Sequence, residues 1–521
     1  MVDVGDVLGL ARFNSKDVVE AVTVANVDYL PGALVVLDSK NRWALFASQS
    51  CHGGLLDRIG SMAYELLRTL LAFVEVFRPA LTAPGFDKAL VVFVGWVLTG
   101  GPHAVTSALV ATDVARRRHH EAFHRFFSRG SWSPDEIGHL LFEKIVAWLP
   151  KDVPVHVVVD DTLAPKKGPH VFGIGSHLDA VRSTKRHQVF CFGHVWVVAS
   201  VVLRMPFSSR PWALPVLFRL YRNKKECLAK KQPYRKKTEL AREMIDILVK
   251  WSGGRRIHLA ADSAYCNDTV TRGLSATVIL FGAMRPDAVL TALPTERPKG
   301  ARGRRPVRGK LLPKPQKLAF SERVPWQTCS ALLYGKQRTI HYKTVDAQWY
   351  RACGTNLLRA VIVRVETGDI NLRVFFCTDP LMSVVQILET YAGRWAIEIC
   401  FRDLKQLLGF ADSSARKRAS VERTAPFVGF IYTSLVLWFA QHAWQTPAAI
   451  PPVRPWYSHK KGLSFADILR TAQRTLLPLD VLDPACSLDN LRKFPVHAAP
   501  AIPGRRRRAR VAPSSPTRRA A

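Results

Sequence analysis

Two strand-length apolar runs in this chain each end on an aspartate, and that pattern confines the fold. The first, Val153-Pro-Val-His-Val-Val-Val159, runs into Asp160-Asp161-Thr162. The second, Ile257-His-Leu-Ala-Ala261, runs into Asp262. Such runs, rich in β-branched residues, mark buried strands. Between them lies Lys237–Trp251, an amphipathic helical stretch, and another strand-like run follows at 278–281. Strands, then a helix, then strands predict a mixed α/β core. Side chains at strand ends sit at the rim of the sheet, where function concentrates.

The remaining segments fill in around that core. Residues 1–55 give mixed signals, and 55–129 reads as largely helical, with Leu67, Leu70, Leu71 and Val74 at helical spacing. Ser133 before Pro134 supplies an N-cap and a first-turn proline for a helix running to about residue 149. The stretch 188–203 reads as two strands turning at Gly193, and 216–220 as another. At 298–317 the composition shifts to PKGARGRRPVRGKLLPKPQK, a loop or hairpin tip. Residues 339–376 alternate in strand fashion, and helical periodicity returns at Met382. The tail after Ala498, with its arginine run at 505–510, is low in complexity and expected to be disordered.

A third acidic residue stands in different company. Tyr391, Arg394, Glu398 and Lys405 form a Y-x2-R-x3-E-x6-K pattern on a segment without proline. At about 100° per residue, these four and Arg402 fall within an arc of about 80° on one helix face. Glu398 on that face could ligate a metal ion while Arg394, Arg402 and Lys405 hold phosphates. A solvated, salt-bridged helix face is the competing reading. Trp395, beside the row, is expected in the core, with stacking on an unpaired base as its alternative.

Charge names the class of partner. The chain carries 75 Lys and Arg against 41 Asp and Glu, a formal net charge of +34. Such an excess predicts a polyanion, with nucleic acid the default. The basic residues Lys185 and Arg186 are expected to line a DNA path. No membrane partner is expected: the longest apolar run, 427–440, is short and includes Gly429, Thr433 and Ser434. The nine cysteines include no C-x-x-C, which excludes zinc-ribbon spacing and argues for a reducing compartment. With no signal-peptide pattern at the start, the expected location is cytoplasmic, at the nucleoid.

Two strand-end aspartates and a helical glutamate could converge on one point, where they would repel unless a cation intervened. All-oxygen ligation favours Mg²⁺ or Mn²⁺. A pair of such ions about 4 Å apart suits phosphodiester displacement.

On these residues the chain resembles the DDE transposases of bacterial insertion sequences that carry the YREK signature. Asp160-Asp161-Thr162 is similar to their first motif, D-x-T. Asp262-Ser-Ala-Tyr265 is similar to the second, D-R-G-Y, departing from it at Ser263 and Ala264. The third motif matches at Tyr391, Arg394, Glu398 and Lys405, and the resemblance spans roughly 60–445. It implies an RNase H-like mixed sheet with flanking helices, a β-rich insertion and a helical N-terminal DNA-binding region. The expected limits are 1–150 for that region, 151–285 and 379–445 for the two parts of the core, 286–378 for the insertion and 446–521 for the C-terminal region. The resemblance makes Asp160, Asp262 and Glu398 the metal ligands, with Asp161 the alternative to Asp160. It also puts Tyr391, Arg394 and Lys405 on phosphates at the transposon end. The implied partners are double-stranded DNA, as terminal inverted repeats and as target, and a second copy of the chain in the DNA complex. A metal-dependent nuclease or resolvase on the same core, and an inactive DNA-binding relative, are the competing functions.

Overall fold

One ten-stranded sheet carries the site, and its register explains why the aspartates meet. The computed structural model describes residues 33–37, 43–47, 53–168, 170–184, 186–295, 304–367, 369–452, 456, 460 and 462–477. Residues 1–32, Lys185 and the tail after Ala498 lie outside them. Ahead of the large sheet, β1 (Ala33–Leu37) and β2 (Trp43–Ala47) pair as a separate antiparallel hairpin. Five helices follow: α1 (Gly53–Val74), α2 (Ala83–Leu98), α3 (Val105–Ala111), α4 (Glu121–Arg129) and α5 (Pro134–Ala147). As the sequence predicts, α5 opens on the Ser133 hydroxyl, which accepts from the Asp135 N–H at 3.2 Å.

The sheet is built from β3 (Val155–Pro165), β4 (Gly175–Leu178), β5 (Phe190–Arg204) and β6 (Pro211–Tyr221), then β7 (Ile257–Ala261) and β8 (Val278–Met284). β5 runs antiparallel to β3 and β6, while β7 runs parallel to both β3 and β8. The order β6-β5-β3-β7-β8 forms a mixed sheet, as expected. Beyond β8 the sheet continues through β12 (Asp369–Cys377), β11 (Leu357–Thr367), β10 (Lys336–Gln348) and β9 (Gln327–Leu333), all antiparallel. These later strands therefore extend the core sheet from the β8 edge.

Two expectations need correction. The stretch 188–203 is one long strand, with no turn at Gly193. The glycine serves a close approach, since a Cβ there would stand 2.4 Å from the Ala164 carbonyl oxygen of β3. Second, the helix containing 427–440 is longer than the apolar run itself. It spans Arg418–Ala443, 26 residues at mean hydropathy 1.3, enough by length and composition to cross a bilayer. It is nonetheless 94% buried inside the fold over its apolar window, as a core helix is.

Helices cover the sheet. On one side lie α7 (Val384–Gly393), α8 (Ala396–Leu407) and α9 (Arg418–Trp438), and on the other α6 (Lys237–Trp251). The sides follow from the ladder. Asp160, Val198 and Phe218 share one rung, and Phe218 packs on Gly429 and Phe430 of α9. Asp161, Val197 and Arg219 share the next rung, and Arg219 binds Glu243 of α6 at 2.8 Å. The N-terminal helices join the same core. The Trp96 indole of α2 donates to the Leu408 carbonyl at the end of α8 (2.9 Å), and Trp438 of α9 donates to Thr69 of α1 (3.1 Å). α10 (Phe465–Leu476) was not predicted, although Ser464 and Asp467 spell its capping box.

Candidate active site

The parallel pairing of β3 with β7 sets Val159 against Ala261, so Asp160, which lies midway along β3 and not at its end as expected, stands level with Asp262, just past the end of β7. Neighbouring strands are about 4.8 Å apart. Each carboxylate is fixed by a main-chain donor. Asp160 accepts from the Asp161 N–H at 2.8 Å, and Asp262 from the Ser263 N–H at 2.7 Å.

Glu398 reaches the same place through Arg394. One guanidinium nitrogen donates to Asp160 at 2.8 Å and another to Glu398 at 3.0 Å. Two carboxylates from distant parts of the chain are thus bridged by a single side chain. Arg394 is largely buried, and its Nε, also buried, has no partner. Burial disfavours its charge, but Asp160, Tyr391 and Glu398 outweigh that and hold its pKa above the ordinary value. Asp160 is pushed up to about 6, first by burial, with Asp161 and Asp262 adding to the rise and Arg394 opposing it.

Asp161 points the other way. Its carboxylate accepts from the Tyr265 hydroxyl at 2.6 Å and the Lys237 ammonium at 2.7 Å. Because side chains alternate along a strand, one residue of register separates a group facing Arg394 from one tied to α6. Tyr265 and Lys237 were not foreseen as partners of this motif. The tyrosine that closes the second motif was the available signal.

The signature segment is not the single helix expected. α7 ends at Gly393 and α8 begins at Ala396. Across the joint the backbone makes three-residue hydrogen bonds, Arg394 to Tyr391 at 3.0 Å and Ile397 to Arg394 at 3.0 Å. Such a turn advances about 120° per residue instead of 100°, so the segment is not one regular helix face. Tyr391 packs on Phe375 (4.8 Å between centroids) and lies 5.7 Å from the Arg394 guanidinium, with burial pushing its phenol up to about 12.

The other cations are scattered. Arg402 is exposed and turns to its neighbour Asp403 at 2.8 Å. Lys405 is partly buried, and burial lowers its pKa against the pull of Asp179. Arg186 is exposed on the loop between β4 and β5, and Lys185 lies outside the described residues. Trp395 is 48% exposed, packed edge-on to Tyr334 at 6.2 Å instead of sitting in the core.

Among the described residues, no three His, Cys, Asp or Glu side chains stand close enough to share a metal ion. Arg394 instead bridges two of the three carboxylates. The donor set still suits a hard divalent cation, since Asp160, Asp262 and Glu398 offer only oxygen. A crowded carboxyl with its pKa raised to about 6 is one that a cation would relieve.

Buried and half-buried histidines near the site make stability depend on pH. His156 and His258 face each other across β3 and β7 at 5.0 Å. Burial holds His258 down at about 4, and burial also holds His194 at about 4. Both therefore stabilise the fold fully above the unfolded value near 6.5, and that contribution is lost as pH falls towards 4. Asp160, raised to about 6, acts in the opposite sense: its contribution is present below the unfolded value and lost as pH rises through 6. With two groups against one, denaturation midpoints are expected to fall on acidification from pH 6.5 to 4. His258→Gln should flatten that slope in urea melts across the same range.

A family model described as DDE superfamily endonuclease matches residues 76–352, a span that takes in Asp160 and Asp262 and stops before Glu398. A piggyBac transposase synaptic complex with hairpin DNA, solved by cryo-EM, is similar over 85% of this chain and 86% of that chain. Its identity is 12% and its TM-score 0.36. No curated protein matches the chain.

Proposed function

The chain belongs to the DDE superfamily of endonucleases, enzymes that use divalent metal ions, and from that membership we propose that it is a transposase. It binds the terminal inverted repeats of a mobile element, cuts the strands and joins the free 3′ ends to target DNA. The observation that carries the reading is Asp160, midway along β3, standing level with Asp262 just past the end of the parallel β7, with Glu398 tied to the first of them through Arg394.

On this reading Asp160, Asp262 and Glu398 hold Mg²⁺ or Mn²⁺, two ions in the working complex. The bound cation lowers the pKa of an attacking water or hydroxyl and stabilises the leaving oxygen. The chain's own part is positional. The Asp161 and Ser263 amides fix two carboxylates before any ligand arrives. Arg394 exchanges carboxylates for a backbone phosphate of the DNA end, with Tyr391 and Lys405 on neighbouring phosphates. In its motifs the chain resembles the YREK transposases of insertion sequences. Residues 151–285 and 379–445 act as the core, 286–378 as its insertion, and 1–150 as a helical DNA-binding region, with 446–521 a C-terminal region ending in a basic tail. The working assembly is a homodimer on paired ends, at the nucleoid.

Incubation with the element's own terminal sequences and Mg²⁺ tests the proposal, reading nicks and joined products on sequencing gels. Both products are expected. Nicks without joining would leave a nuclease or resolvase, and binding with neither would leave an inactive relative. Lys405→Ala should weaken binding to the ends by about 1–3 kcal/mol, as for a lost charge-assisted contact. It should also reduce the salt slope of binding by about one unit. Anisotropy titrations at several salt concentrations check both.

A further inference from the structure

The sheet face that carries Asp160 extends beyond the part of the sheet that helices cover. Along β5 the row Val198, Trp196 and His194 faces the same way as Asp160, and Phe192 and Phe190 continue it by alternation. Trp196 and His194 are buried at 2% exposure, whereas Phe192 and Phe190 are 65% and 61% exposed. Leu178 of β4 pairs directly with Phe190 and is 48% exposed, and Val181 in the following turn is 95% exposed. Single exposed apolar side chains need no explanation, but a contiguous group does.

Cations surround this patch. Arg182 and Arg186 are exposed on the hairpin, and Lys167 is exposed just after β3, where the Lys166 amide donates to the Phe192 carbonyl at 3.0 Å. The loop itself is ordered by Asp179, whose carboxylate accepts from the Val181 and Arg182 amides at 3.1 and 3.2 Å. Asp179 also acts electrostatically on Lys405, which sets the base of the hairpin beside the C-terminal end of α8. Phe192 lies six residues along β5 from the Asp160 rung, roughly 20 Å at the usual strand rise.

We infer that the β4–β5 hairpin is a stacking platform for unpaired nucleotides next to the cleavage site. Phe190 and Phe192 take the bases, and Arg182 and Arg186 take the phosphates. Exposed aromatic rings among cations are what single-stranded nucleic acid requires. A second copy of the chain suits the patch less well. Two chains of +34 repel, and four apolar side chains fall short of the roughly 800 Å² per partner that a stable interface buries. The inference rests on the proposed action on DNA.

The test compares a blunt duplex with the same duplex bearing a six-nucleotide single-stranded overhang that contains 2-aminopurine. Wild-type protein is expected to bind the overhang form more tightly and to quench its fluorescence. Phe190→Ala with Phe192→Ala should cost about tenfold or more in affinity for the overhang form. Affinity for the blunt duplex should stay unchanged, and the Trp pair at the same positions should restore the preference. Equal affinity of the alanine variant and wild type for the overhang, or equal loss on both duplexes, would overturn the platform. So would a change in sedimentation of the DNA-free protein, which would assign the patch to self-association. A wild-type chain that bound neither duplex would instead remove the DNA-directed function itself.

Discussion

Asp160→Asn and Glu398→Gln are each expected to lower cation-dependent strand cleavage on the order of 10³-fold. Asp161→Asn should leave it within about tenfold of wild type. Binding to DNA ends should survive all three, and rise slightly for Glu398→Gln, because a negative charge leaves a basic surface. The division follows from the two rungs of β3. Asp160 faces Arg394 and stands level with Asp262 across the parallel β7, while Asp161 holds Tyr265 and Lys237 on the far side. The loss in Asp161→Asn should appear as stability, about 1–3 kcal/mol for weakened bonds to the buried Tyr265 hydroxyl and the lysine. Cleavage rates on a labelled terminal duplex and urea midpoints measured together decide the matter. If Asp161→Asn silences cleavage at unchanged stability, the first ligand has been assigned to the wrong face.

The strands that bear the site were legible because burial on both faces writes itself as a continuous apolar run. The predicted bounds of Ile257–Ala261 and Lys237–Trp251 coincide with β7 and α6. Where a residue has a second physical use, the reading failed. Gly193 looks like a turn, but its missing side chain lets two strands approach closely within one ladder. Arg394 looks like one member of a cationic row, because a helical wheel assumes a constant 100° step and knows nothing of partners on another strand. The tightened turn at Arg394 and Trp395 has no proline or glycine inside it to announce it, only Gly393 just before. The partner of Arg402 was equally invisible to the wheel, since Asp403 is adjacent in sequence and off the chosen face. The Asp160 and Asp161 ambiguity was irreducible from sequence. Both are acidic, both follow the same apolar run, and only the register against β5 and β7 says which face each one meets.

Arg394→Ala should separate the two tasks of the bridging arginine. In the protein without DNA, Arg394 neutralises Asp160 and Glu398 in a largely buried setting. Removing one member of such a group leaves uncompensated charge and typically costs about 3–5 kcal/mol. The DNA-free variant should therefore melt earlier than wild type at neutral pH. A divalent cation can replace the lost guanidinium charge on the same carboxylates, so Mn²⁺ should restore much of that stability by mass action. In wild type the cation has to compete with Arg394. In the variant it does not, and Mn²⁺ affinity of the DNA-free protein should rise about tenfold or more, a gain of at least about 1.4 kcal/mol. Isothermal titration with Mn²⁺, paired with thermal melts with and without the ion, reads both effects apart from catalysis. An arginine that merely braced the fold would lower stability and Mn²⁺ affinity together, and that result would end its role as the resident counter-ion. If affinity rises as expected, DNA ends acquire a physical means of admitting metal. A phosphate that draws Arg394 away from Asp160 and Glu398 leaves those two carboxylates, with Asp262 beside them, needing a cation at the moment the scissile strand arrives.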